Sequence, residues 1–273
     1  MTALALFNYV FLGAEYLFDN MMAFQTDSGG VVLAQSYVLG SSTVGFLLFG
    51  VLDGKMRERA KKADSAGAGV LAAVCLWGIQ VHQSYGSTLA AGLILYVLLG
   101  IAGSLVHYRA ACRYGMEEHL AETVGVSYAI GLFLQFFENN LIHNAAVEAV
   151  ILTVAFWALL FLVEKRKVAG SLMEWNLYES DPIRHPYAVA VTLIFTVALM
   201  TCIFATLDNV VTLGHAGGSM DIGQWPRLIL AVSGLVSGVL FDYGKGRYRN
   251  LIMYCVTLLS TVCILVIVSG GSF

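Results

Sequence analysis

Nine long apolar runs alternate with short polar stretches along the chain. They cover residues 2–24, 31–52, 66–84, 87–107, 120–137, 145–163 and 187–207, then an eighth run that opens at Trp225-Pro226 and ends before Asp242, and finally 251–268. Each is near the ~20 residues that a helix needs to cross about 30 Å of hydrocarbon. The runs are continuous rather than alternating over about ten residues, so the pattern predicts helices and not barrel strands. Turn signals separate them, among them Asp27-Ser28-Gly29-Gly30, Gln83-Ser84-Tyr85-Gly86-Ser87 and the glycine-rich stretch 213–223. Pro226 suits the first turn of a helix. The longer polar stretch 164–186 holds Lys165-Arg166-Lys167, Pro182 and Pro186 and reads as a linker. The expected fold is an all-α integral membrane protein with nine transmembrane helices. Residues 1–165 form a six-helix bundle, 166–186 a cytoplasmic linker and 187–273 a partial bundle of three helices.

Composition agrees with this reading. The chain is 58% hydrophobic and 12% charged, with a mean hydropathy of +0.76, far from the values of a soluble domain. Of the 15 Lys and Arg, 14 lie in the polar stretches after runs two, four, six and eight; Arg227 alone lies on the other side. The positive-inside rule then places those stretches and the N-terminus in the cytoplasm, as expected for a multi-pass protein of a bacterial cytoplasmic membrane. The first run lacks a basic leader and a small-residue cleavage site, so it is expected to remain as a span. A net charge of −3 implies no polyanionic partner, and no nucleic-acid binding is expected. The five cysteines include no CxxC pair and the six histidines no metal-ligand spacing, so neither a metal nor a cofactor is expected. Phosphate-binding loops, nucleophile elbows, zinc-protease motifs and dinucleotide fingerprints are missing, and the sequence does not read as an enzyme.

A long-period repeat runs through the chain. Asp19, Asn20, Gly45 and Asp53 all map onto Asp208, Asn209, Gly234 and Asp242 with one offset of 189. Each copy places an Asp-Asn pair in one apolar run and an Asp followed by basic residues after the next. The offset equals six runs plus the linker, so the seventh run repeats the first in the same orientation. Two halves would then be related by an axis along the membrane normal.

Gly238-Val239-Leu240-Phe241-Asp242-Tyr243-Gly244-Lys245-Gly246-Arg247-Tyr248-Arg249 resembles the cytoplasmic signature G-x-x-x-D-x-x-G-[RK]-[RK] of the major facilitator superfamily. Gly50-Val51-Leu52-Asp53-Gly54-Lys55-Met56-Arg57-Glu58-Arg59 is a weaker copy, with Phe49 where the first glycine stands in the family. No Lys or Arg occurs between Lys62 and Arg109, where the family carries an Arg at the start of its fourth helix. The family has twelve spans, so the resemblance implies three more beyond the nine and a chain truncated within its second bundle. It also implies secondary transport of a small solute by alternating access, and a cytoplasmic gating cluster of Asp53, Arg57, Arg59, Gly238, Asp242, Arg247 and Arg249. The alternative is a membrane sensor of the same fold that binds a ligand without moving it.

Ionisable groups inside apolar runs are the candidates for chemistry, because burying them in a bilayer is costly. Glu15 and Asp19 stand four apart, on one helical face, with Asn8 on the same stripe. Two carboxylates so placed repel, which favours a proton on one of them and makes proton coupling an expectation. Asn20, Asp208 and Asn209 join them through the repeat. On the fifth run Ser127, Gly131, Gln135 and Glu138 form a stripe that suits a cavity wall, whereas Glu138-Asn139-Asn140 reads more readily as an outer loop. The expected solute and proton pathway is Glu15, Asp19, Asn20, Gln135, Asp208 and Asn209. The partners are the lipid bilayer, a small solute and protons. Gly92, Tyr96, Gly100, Gly103 and His107 line the fourth run at a spacing typical of helix packing.

Overall fold

The computed structural model describes residues 1–55, 58–114, 119–165, 187, 191, 195, 210, 212–218, 225–243 and 249–268. Eight long helices lie among these: α1 Thr2–Met22, α2 Ser28–Lys55, α3 Glu58–Val81, α4 Tyr85–Tyr114, α5 Leu120–Leu141, α6 Ala145–Lys165, α7 Trp225–Asp242 and α8 Arg249–Val268. Among the described residues no strand occurs. Five stretches are long and apolar enough to cross a membrane: Ser28–Phe49, Tyr85–Ala111, Leu120–Leu141, Ala145–Val163 and Trp225–Asp242. The apolar parts of α3 and α8, Ser65–Val81 and Leu251–Val262, are shorter.

The helices run past the apolar segments into what the hydropathy pattern treats as loops. α3 starts at Glu58, inside the basic stretch expected as a loop, because Glu-Arg-Ala-Lys-Lys-Ala is made of strong helix formers. α5 continues to Leu141 and so corrects the loop reading of Glu138-Asn139-Asn140. The ends are set by local hydrogen bonds. Asp27 Oδ1 accepts from the Gly30 amide at the start of α2 (3.0 Å), and Asn144 Oδ1 from Ala146 (2.9 Å) at the start of α6. Ser84 and Ser87 cap α4 reciprocally, each hydroxyl accepting from the other's amide (3.3 and 3.1 Å).

α1 is the hub. It packs against α4, α5 and α6, and 12 of its 21 residues are buried. Leu4, Phe7, Val10, Ala14, Leu17, Phe18 and Met22 join Val38, Leu76, Tyr96, Leu99, Leu152 and Phe156 in one core. The outer faces of the other helices stay apolar: Val70, Val74 and Trp77 on α3, Val150, Val154 and Phe161 on α6, and Leu258 and Leu259 on α8 are all exposed. A soluble protein would not present so much apolar surface. Its natural solvent is lipid.

Between lipid-bathed helices there is little hydrophobic drive, so close backbone approach takes over. Gly45 of α2 faces Gly100 of α4: a methyl on Gly45 would meet the Val97 carbonyl oxygen, and one on Gly100 the Ser42 carbonyl. The same device joins α5 to α7, where a methyl on Gly238 would lie 2.8 Å from the Ala121 carbonyl and 3.1 Å from the Gly125 Cα. Gly100 is thus a packing residue, as its spacing predicts. Tyr96 is buried beside it, its hydroxyl donating to the Phe11 carbonyl (3.2 Å).

Candidate functional site

Polar side chains from five helices converge inside the bundle, at the end where α1 and α5 finish and α2, α6 and α7 begin. The stripe on α5 turns inward because the glycine within it admits α1: a methyl on Gly131 would sit 2.9 Å from the Tyr9 nitrogen and 3.0 Å from the Ala5 carbonyl. Above that contact Gln135 is 0% and Glu138 6% exposed. The Tyr9 hydroxyl donates to Glu138 Oε2 at 2.6 Å, a short bond of the kind made to a charged acceptor.

Arg227, one residue past Pro226 in the first turn of α7, reaches into this interior and is 6% exposed. Its Nη1 donates to Gln135 Oε1, and its guanidinium lies over the Tyr16 ring, 5.3 Å from the centroid. It lies within electrostatic reach of Glu15 and Glu148. Glu148, in the first turn of α6, is 8% exposed and feels both Glu138 and Arg227. A buried cation stabilises its surroundings only if compensating charge is close, and here the carboxylates supply it.

Toward α2, Glu15 Oε1 accepts from Gln35 Nε2 at 2.8 Å, and Gln35 is itself buried. Asp19 is 2% exposed, which places it in the interior rather than at a solvated mouth. Asn20 Oδ1 lies 3.0 Å from His215 Nε2, and the His215 ring sits 5.5 Å from that of Tyr16. His215 belongs to the short helical turn 212–216.

Of the pathway residues expected from sequence, Glu15, Asp19, Asn20 and Gln135 therefore meet in one cluster. Asp208 and Asn209 lie outside the described residues. Tyr9, Gln35, Glu138, Glu148, His215 and Arg227 belong to the cluster but were not singled out for it. Two sequence signals point to them. Arg227 is the lone basic residue on its side of the positive-inside pattern, and Glu148 interrupts an otherwise apolar run.

A second polar contact lies at the opposite end. Asp242, the last residue of α7, accepts through Oδ2 from the Glu122 amide at 2.7 Å, in the first turn of α5. A carboxylate there satisfies a free helix-end donor and complements the positive end of the helix dipole. The cap is made on α5 and not on the helix that follows α7. Four residues before Asp242, Gly238 brings the two backbones together. Asp53, Arg59 and Arg249 fall on α2, α3 and α8, whereas Arg57 and Arg247 lie outside the described residues.

Among the described residues no group of three or more His, Cys, Asp or Glu is arranged to hold a metal. What the cluster offers is a buried guanidinium, several carboxyls, three amides, an imidazole and two phenols, suited to charge recognition and proton movement. No family model, no curated protein and no solved structure matches this chain.

Proposed function

We propose that the protein is a secondary transporter of facilitator type, moving a small solute across a bacterial cytoplasmic membrane by alternating access around the Arg227 cluster. The observation that carries the reading is the cluster itself: a cation, carboxyls and amides enclosed among membrane-length helices. Ionisable groups held at such cost mark solute or proton pathways in membrane proteins. The site also lies where α7 packs on α5 and Arg227 reaches Tyr16 of α1, and in this reading α7 belongs to the second half of the repeat and the other two to the first. Rocking of one half against the other opens and closes such a site. The Asp242 cap on α5 suits a latch at the cytoplasmic end, formed when the halves close there. In this reading nine spans cross the membrane with the N-terminus inside. Residues 1–165 are one bundle, 166–186 the linker and 187–273 part of the second. Transport is coupled to a proton through a carboxyl of the cluster, with Glu15 and Asp19 the candidates that the sequence singles out.

The non-transporting sensor is favoured by two observations. Phe49 replaces a glycine in the first signature copy, and no basic residue stands between Lys62 and Arg109. One experiment separates the readings. The full chain is reconstituted in liposomes on a solid-supported membrane and challenged with a panel of amino acids, sugars, organic acids and amines, with and without a pH step. Transient currents that need a solute and vanish in Arg227→Gln support transport. Thermal stabilisation by a panel compound without any current supports the sensor. Uptake unchanged by a proton gradient and by both Glu15→Gln and Asp19→Asn rules out coupling through those two carboxyls.

A further inference from the structure

Among the polar atoms of the cluster that find no hydrogen-bond partner among the described residues are Oε1 of Glu148, Oε1 of Glu138, Nε2 of Gln135 and Nε of Arg227. Glu148 differs from the other three. Glu138 is bonded to Tyr9, and Gln135 and Arg227 are bonded to each other. The Glu148 carboxyl is 8% exposed and lies within electrostatic reach of Glu138 and Arg227. The helix start beneath it needs nothing from it, because Asn144 already caps the α6 amides.

The surrounding charges can be named element by element. α1 brings Tyr9, Glu15, Tyr16 and Asp19, α5 brings Tyr128 and Glu138, α7 brings Arg227, and the turn 212–216 brings His215. α3, the other helix packed on α6, has Cys75 as the sole titratable side chain between Ser65 and Val81. Among the described residues of the cluster, Arg227 is the permanent cation for several carboxyls, with the half-buried His215 as the other basic group. One guanidinium cannot balance them, and uncompensated charge in such a setting is costly. A proton on one of the carboxyls removes that cost. Tyr9, Asp19, Gln135, Glu138, Glu148 and Arg227 are closed against one another at 0–8% exposure, so an organic cation would have to part the helices to reach Glu148, whereas a proton needs no room.

We infer that Glu148 is an exchangeable proton site, with Glu138 and Arg227 as the groups that set its occupancy. In the protonated state the Glu148 O–H bond is formed, Arg227 is balanced by Glu15 and Glu138, and the Glu148–Glu138 repulsion is gone. On release the proton leaves to water when the bundle opens, and the Glu148 carboxylate then faces Arg227. Tyr9 holds the Glu138 carboxylate in place through its hydroxyl and is a positioning residue. The inference deepens the transport reading above, since it moves the coupling carboxyl from α1 to α6.

The test is infrared difference spectroscopy of the purified full chain in lipid during a pH titration, reading the C=O stretch of protonated carboxyls. The expected result is one titrating band that is lost in Glu148→Gln, shifted in frequency in Glu148→Asp, and kept in Glu15→Gln and Asp19→Asn. Tyr9→Phe should keep the band and displace its midpoint. If Glu148→Gln fails to fold, Glu148→Asp and Tyr9→Phe carry the test. A band that follows Glu15 or Asp19, or no titrating carboxyl band at all, overturns the assignment. Failure of the transport reading is separately visible: the band would follow Glu148 while the liposomes carry no solute current.

Discussion

In α2 the glycine pressed against a neighbouring backbone is Gly45, whose partner is Gly100 of α4. In α7 it is Gly238, whose partner is Gly125 of α5. Gly45 corresponds through the repeat to Gly234, where an added methyl would meet the ring of Tyr128. The tight crossing has thus moved by one helical turn between the copies, and it has moved to a different partner. The position matching Gly238 in the first copy is Phe49, whose ring lies 6.1 Å from that of Tyr108 on α4. A phenyl group there fills the gap that glycine leaves open in α7. The lesson is that the repeat preserves where small and acidic residues stand, while the neighbour decides which of them bears the contact. α2 is fastened within its own bundle. α7 is fastened to α5, across more than eighty residues of chain.

Substitutions rank along this contrast. Gly45→Ala puts a methyl onto the Val97 carbonyl, an atom that moves only with its helix. Overpacking against backbone costs about 1–3 kcal/mol, and the upper part of that range is expected here as a lower melting temperature in detergent. An unchanged melting temperature would dissolve the α2–α4 half of the comparison. Gly238→Ala meets the Ala121 carbonyl at 2.8 Å and the Gly125 and Glu122 Cα atoms just beyond 3 Å. A loss of about 1–2 kcal/mol is expected, together with weaker cysteine cross-linking between α5 and α7 and none of the α2–α4 loosening. Asp242→Ala removes the cap from α5, and caps of this kind contribute about 1 kcal/mol. Amide exchange at Glu122 should quicken while exchange in α2 stays as it was. Gly234→Ala is expected to be nearly silent, because the Tyr128 ring can swing aside and alanine gains up to about 1 kcal/mol of helix propensity. A loss as large as that from Gly45→Ala would mean that the two copies pack alike after all.

These contrasts mark how far the sequence could be read. The helices were legible because long apolar runs have few other solutions in lipid, and Glu15 and Asp19 were legible because a charge inside such a run stands out. The basic stretch after α2 misled, since hydropathy marks where the hydrocarbon ends and not where the helix does. Glu138 was taken for a loop residue beside Asn139-Asn140, although α1 packs on the inner face of α5 and encloses it. Glu148 and Arg227 sit in the first turns of their helices, where a charge reads equally as interior or as solvated end. Which applies depends on the neighbouring helix, and that is long-range information. The repeat aligned Gly45 with Gly234, yet an offset along the chain carries no record of the partner across the gap.

The central position of α1 has a consequence for how the chain enters the membrane. It carries Asn8, Glu15, Asp19 and Asn20, and it precedes by more than a hundred residues the helices α5, α6 and α7 that enclose those groups. Each acidic residue at mid-helix disfavours insertion by about 2.5–3.5 kcal/mol. When α1 leaves the ribosome none of its compensating partners has been made. The attraction between Glu15 and Arg227 can therefore form only once α7 has been made.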